Sequence, residues 1–145
     1  MKLEKLKAWL ELGKWQDADR KTTEIILEAV NRTKEGWLRV EDIDRLTGDD
    51  LGAIDRLWRK YSNNQFGFSI QRKIYRQLGG TRVFNFEVWD DFCDRVGWLD
   101  IATLQVDDDI EFQKKVPIGH LPGHQLWCGF ILADEAIALL TRQDF

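Results

Sequence analysis

Residues 47–61 read Thr-Gly-Asp-Asp-Leu-Gly-Ala-Ile-Asp-Arg-Leu-Trp-Arg-Lys-Tyr, and their spacing decides the fold. Leu51, Ile54, Leu57, Trp58 and Tyr61 recur at three- and four-residue steps, which places them on one face of an α-helix. Thr47 is a natural N-cap, and Asp49 and Asp50 bring negative charge to the first turn, where the helix dipole favours it. Ser62-Asn63-Asn64-Gln65 is turn chemistry and ends the segment.

The same period continues in both directions. Leu3, Leu6 and Leu10 predict a short helix that Gly13 closes. Trp15, Ala18, Thr22, Ile25 or Ile26, and Ala29 predict a longer one, and Val40, Ile43 and Leu46 a short third after Gly36. Beyond the opening stretch, Ile70, Ile74 and Leu78 carry a helix stopped by Gly79-Gly80, with Ser69 as its starting residue. Phe86, Trp89, Cys93 and Val96 carry another, capped by Asn85 and ended at Gly97. A last helix covers about 133–141, with Ala133, Ala136, Ile137 and Leu140 on one side.

No segment alternates as a half-buried strand would. Residues 8–29 loosely resemble one tetratricopeptide unit, but a single unit cannot bury its own face. The expectation is one all-α domain over residues 1–145, with about six or seven helices. Residues 98–125 have no helical period and hold both prolines, Gly119, Gly123 and the run Asp107-Asp108-Asp109. An irregular segment of that length in a compact domain asks for a functional reason, such as a lid.

Composition narrows the function classes. A chain of 145 residues buries roughly 68–70% of its unfolded surface and needs neither disulfide nor metal to fold. The net charge of −4 argues against nucleic acid as the main partner. No apolar run approaches the roughly 20 residues of a transmembrane span, and the charged start lacks a signal peptide's apolar stretch. With only Cys93 and Cys128 there is no disulfide framework or zinc spacing, so the simplest location is a reducing cytoplasm or an organelle stroma. Seven tryptophans and eight phenylalanines supply rigid surface for a core or for a flat conjugated ligand, with core packing the expected role of most.

Catalytic and metal chemistry finds little footing, and the chain is read as a non-enzyme. It has no phosphate loop, no HExxH and no GxSxG. His120 and His124 are four apart, but Pro122 and Gly123 lie between them and no third metal ligand is suitably spaced. The acidic run before Glu111 lacks the alternation of a calcium loop and reads as a solvated turn. Cys93 falls between Trp89 and Val96 as a core residue. Cys128 differs: it lies in Leu126-Trp127-Cys128-Gly129-Phe130, beside an aromatic and a glycine at the exit of the irregular segment.

The run Leu57-Trp58-Arg59-Lys60-Tyr61-Ser62-Asn63-Asn64-Gln65-Phe66-Gly67-Phe68-Ser69-Ile70-Gln71-Arg72 resembles the signature of the Genomes Uncoupled Four family. Three further blocks agree in order and approximate spacing: Trp15 with Ala18-Asp19 and Thr22, then Val96-Gly97-Trp98, then Gly119-His120-Leu121-Pro122. The resemblance covers nearly the whole chain. It implies an all-helical domain with an apolar concave face for porphyrins and, in some members, linear bilins. Members in oxygenic phototrophs stimulate magnesium chelatase in chlorophyll synthesis by handling protoporphyrin IX and its magnesium form. Many carry a further N-terminal helical domain, which these residues are expected to lack.

Carried onto this chain, the family's apolar wall falls just beyond the pair Trp37-Leu38, at Val40 and Ile43, with Val40 replacing a frequent aromatic. The family's lid comes after Gly119-His120-Leu121-Pro122; in chelatase-linked members it carries arginines for the propionates. Here residues 119–140 contain no Arg or Lys, Trp127 and Cys128 occupy the lid, and Arg142 lies beyond it. Val40, Ile43, Phe112, His120, Leu121, Pro122 and Trp127 are therefore expected to border one apolar concavity, with residues 99–127 as its edge. The first reading is a bilin chromophore domain, photosensory or chromophore-handling, with Cys128 as thioether anchor and His120 or His124 as its proton acceptor or as a hydrogen-bond partner of the pigment. The alternatives are a non-covalent protoporphyrin IX or Mg-protoporphyrin IX carrier acting on magnesium chelatase, and a ligand-free interaction module with a signalling partner.

Overall fold

The computed structural model describes residues 1–99, 110–123, 126–127 and 132–145, with Ile110 described by its backbone alone. Among them are eight helices and no strand: α1 (Glu4–Glu11), α2 (Trp15–Ala29), α3 (Val40–Arg45), α4 (Gly48–Tyr61), α5 (Phe68–Gln77), α6 (Phe86–Arg95), α7 (Ile110–Lys115) and α8 (Ala133–Leu140). Helix α1 packs on α2 and α4, while α8 packs on α3 and α5, and α5 on α6. Helix α8 is central: Ala136 to Leu140 are all buried, so it is apolar on every side rather than along one stripe.

The expected caps are in place. Thr47 Oγ1 accepts from the Asp50 N–H at 3.1 Å, and Asn85 Oδ1 from that of Val88 at 3.1 Å. Gly13 comes just after α1, with the Lys14 N–H donating to Trp9 O and its own to Leu10 O, so orphan carbonyls of the last turn are paired. Helix α5 starts one residue ahead of Ser69. Its preceding residue, Gly67, offers no side chain, and Asp55 of α4 accepts from the Ser69 N–H at 2.8 Å instead.

Four features depart from the sequence reading. Helix α7 lies inside the stretch expected to be irregular, because six residues with Phe112 buried and Val116 just beyond make too short a pattern to register as a period. On α2 Ala29 is exposed and Val30 takes the buried place. On α5 the buried stripe is Phe68, Gln71, Ile74 and Tyr75, while Ile70 and Leu78 are half-buried. Phe86 also faces outward, 68% exposed, next to exposed Val83 and Phe84.

Most tryptophans pack the core, in two clusters. Trp15, Trp58 and Phe66 join α2, α4 and the turn after α4, with ring centroids 5.3–6.3 Å apart. The Trp58 indole N–H donates to Thr22 Oγ1 at 2.9 Å, and that hydroxyl donates to Ala18 O at 2.9 Å, so the buried polar atoms are paired. The second cluster joins Tyr75, Trp89, Phe92 and Trp98, with centroids 5.5–6.2 Å apart. Cys93 lies in this core, and burial pushes its thiol up to about 12, so it is no nucleophile at neutral pH.

One buried charge fixes the entry to α3. The Asp42 carboxylate is fully buried and accepts from the Arg39 N–H and guanidinium and from Arg45, at 2.8–2.9 Å, with Arg32 Nε 3.3 Å away. Arg45 also donates to Val30 O, tying α3 to the end of α2. Hydrogen bonding from the Arg39 side chain, above all, holds the Asp42 carboxyl well below the usual carboxylate range. The stability this contributes is full above the unfolded-state value of about 3.9 and is lost as pH falls from there through the lower folded value. Asp42→Asn should cost about 2–3 kcal/mol at pH 7. Urea unfolding at pH 7 and pH 3 should show the difference from wild type shrinking in acid.

Candidate functional site

Helix α6 ends at Gly97, whose φ of +78° lets the Trp98 N–H reach back to Cys93 O at 2.9 Å. A Cβ at Gly97 would stand 2.9 Å from the Pro117 ring, so the missing side chain lets the segment after α7 lie against the end of α6. From there residues 119–123, Gly-His-Leu-Pro-Gly, run through the interior, every one buried.

A buried stretch of backbone needs partners for its peptide groups. Four parts of the chain supply them here. The Gly119 N–H donates to Gln65 O at 2.8 Å, and the Leu121 carbonyl accepts from the Gly67 N–H at 3.0 Å. Gln71 Nε2 donates to both Gly119 O, at 3.0 Å, and Pro122 O, at 2.6 Å. The Trp98 indole donates to His120 O at 2.8 Å, and the Gly123 N–H donates to Asp19 Oδ1 at 2.7 Å. His120 Nδ1 lies 2.8 Å from Val96 O; a carbonyl only accepts, so Nδ1 carries the hydrogen. Gln65 also braces the preceding helix, its amide donating to Gln113 O and Val116 O at the end of α7.

Two polar atoms at this cluster are buried without a hydrogen-bond partner among the described residues, Gln71 Oε1 and Trp127 Nε1. The double donation by Gln71 Nε2 fixes which way its amide faces. The Trp127 indole lies against Gly123, whose φ is +135°; a Cβ there would stand 2.9 Å from that indole and 3.1 Å from Trp98. Any other residue at 123 would be strained in backbone and crowded by two rings.

The structure gathers five of the expected site residues at this cluster. Phe112 and His120 are in ring contact at 6.0 Å, Leu121 and Pro122 belong to the pinned loop, and Trp127 donates its backbone N–H to Gly123 O. Phe112, His120, Leu121 and Trp127 are at most 2% exposed, so they back this region from inside. Val40 and Ile43 stand on α3, which packs on α8; Val40 is half-buried and Ile43 fully buried, with its carbonyl accepting from Arg142. His124, Cys128 and the acidic run 107–109 lie outside the described residues.

Sequence reasoning missed the residues that hold the loop: Asp19, Gln65, Gly67, Gln71 and Trp98. A signal for two of them was present. Asp19 sits on the buried stripe of α2 beside Trp15, Ala18 and Thr22, and Gln71 on that of α5 beside Ile74 and Tyr75. A polar side chain on an apolar stripe needs a buried partner. All four blocks that carry the family resemblance meet here, through Asp19, through Gln65, Gly67 and Gln71, through Val96 and Trp98, and through the loop itself.

Comparison with known proteins agrees. A family model described as GUN4-like matches residues 1–138. The ycf53 protein of Pyropia yezoensis is 32% identical over 99 residues, covering 68% of this chain and 39% of that protein. The chloroplastic tetrapyrrole-binding protein of Arabidopsis thaliana is 29% identical over 113 residues, covering 74% of this chain and 43% of the relative. The chain thus spans about two-fifths of the length of these relatives. The ligand-free structure of Arabidopsis thaliana GUN4 shares the fold with a TM-score of 0.77 at 23% identity, covering 99% of this chain and 93% of that one. GUN4 from Chlamydomonas reinhardtii gives 0.70 at 23% identity, covering 94% and 90%.

The clamp makes a direct prediction. Gln71→Leu keeps the side-chain volume but leaves the Gly119 and Pro122 carbonyls buried without a donor, which should cost about 2–4 kcal/mol. Urea denaturation should show a lower midpoint with an unchanged slope, and a shift under ~0.5 kcal/mol would show that the loop is held by other means.

Proposed function

The chain belongs to the GUN4-like family, and on that footing we propose that it is a non-enzymatic tetrapyrrole-binding domain whose ligand is a linear bilin. The observation that carries the binding reading is the convergence of all four family blocks on the pinned loop 119–123. A domain that commits so much buried hydrogen bonding to one irregular segment is built to present the adjoining residues, among them Trp127 and Cys128.

The choice of bilin rests on charge and nucleophile. Residues 119–140 carry no Arg or Lys to meet propionates in the manner of the chelatase-linked members. Arg142, the next cation, is already engaged: it pairs with Asp144 at 2.6–2.9 Å and donates to Ile43 O at 2.8 Å. Cys128 offers a thiol that adds across a vinyl or ethylidene group of an open-chain tetrapyrrole: sulfur bonds to the carbon, the thiol proton ends on the pigment, and no oxidant is consumed. Holding the pigment in place makes the addition unimolecular. His124 takes the thiol proton or hydrogen-bonds the pigment, while His120 and Trp127, both buried, support the pigment's surroundings from inside. Val40 and Ile43 form the apolar wall, with Phe112, Leu121 and Pro122 behind the lid.

Protoporphyrin IX or Mg-protoporphyrin IX, carried to magnesium chelatase, is the second reading; the relative from Arabidopsis thaliana is called a tetrapyrrole-binding protein, a name that covers both ligands. No helix among the described residues is long and apolar enough to cross a membrane. The reading places the domain in a cyanobacterial cytosol or plastid stroma.

Co-expression with bilin synthesis should yield coloured protein whose pigment survives denaturing electrophoresis and fluoresces with zinc. Cys128→Ala should lose that band while still binding pigment reversibly in the native state. Val40→Asp should abolish binding with helical circular dichroism intact; Val40 suits this test because Ile43 is fully buried and charging it would unfold the domain. Colour only with protoporphyrin would select the second reading, and colour with neither would leave a ligand-free interaction module.

A further inference from the structure

Helix α5 carries different surroundings on its two sides. Arg72 reaches from one side of it to Arg142 O in the C-terminal segment. The opposite side opens into a groove of about 580 Å³ between α5, the end of α6 and residues 117–118. Its floor is apolar, made by Ile70, Ile74, Pro117 and Ile118, and Ile118 is 60% exposed. Its rim is Asn64, Lys73, Gln77 and Arg95, all able to donate hydrogen bonds, with no carboxylate among the lining residues.

The groove leaves its rim cations without a counter-charge, whereas Arg32, Arg39, Arg45, Arg59 and Arg142 each have a carboxylate within 4.0 Å. Lys73 and Arg95 form no ion pair or hydrogen bond among the described residues. Two unpaired cations over an exposed apolar floor, in a cleft sized for a small organic ligand, describe the ligand by complementarity.

We propose that this groove binds an amphipathic dianion, with an apolar body on Ile70, Ile74, Pro117 and Ile118 and two acidic groups meeting Lys73 and Arg95. None of the residues proposed for the pigment lines this groove, and its reading does not depend on that assignment. It is nevertheless close to the pinned loop. A Cβ at Gly119 would stand 2.8 Å from Ile74 Cδ1, and one at Gly97 2.9 Å from Pro117, so two floor residues support the loop from below.

Hexadecanedioate is a suitable probe, compared with its monomethyl ester, which keeps the chain and loses one charge. Protein labelled at isoleucine methyls should show saturable shifts at Ile70, Ile74 and Ile118, assigned by single Ile→Val variants. Lys73→Glu combined with Arg95→Glu should weaken the diacid at least tenfold with circular dichroism unchanged. The diacid should bind several-fold more tightly than the monoester in wild type, and equally in the milder Lys73→Gln. Absence of saturable binding, shifts confined to other isoleucines, or unchanged affinity in the charge-reversed variant would each overturn the proposal.

Discussion

A loop that enters a protein interior takes its peptide groups with it, and each one left unpaired there costs about 1–3 kcal/mol. Residues 119–123 are buried throughout, so the rest of the domain must be arranged to receive them. Asp19 comes from α2, Gln65 and Gly67 from the turn after α4, Gln71 from α5, and Val96 and Trp98 from the end of α6. Each donor or acceptor is aimed by its own helix, so the helices cannot shift independently without breaking a bond to the loop. The aromatic clusters supply burial free energy, whereas the loop supplies geometry.

This division of labour accounts for the glycines around the loop. Gly97 admits Pro117, and Gly123 admits the Trp127 indole. At both positions the backbone is also in a conformation that other residues adopt at a cost. Close approach and special conformation coincide because the loop crosses the packed core where a side chain has no room.

The buried Asp42 plays a comparable part on the other side of the domain. One carboxylate collects three arginines and sets the junction of α2 with α3, on which Val40 and Ile43 stand. A charge buried this completely is tolerated because its oxygens are saturated by guanidinium and backbone donors. Helix α3 and the loop 119–123 thus rest on separate polar anchors, Asp42 for the one and Gln71 with Asp19 for the other, joined through α8 and its contacts with α3 and α5.

The helices were legible in the sequence because a helix is a local object. Leu51, Ile54 and Trp58 repeat within two turns, Thr47 and Asn85 cap within three residues, and Gly13, Gly79 and Gly97 close turns just behind them. Helix α7 escaped because six residues do not complete a period, and its stability comes from Phe112 in the core and from Gln65 on its last carbonyls. The resemblance carried by the four blocks was also in the sequence, but not the reason for it. Asp19 and Gly123 are 104 residues apart, and Gln71 lies 48 from Gly119 and 51 from Pro122. No local period links residues so distant; only chain closure in three dimensions pairs a buried carboxylate or amide with a buried peptide group.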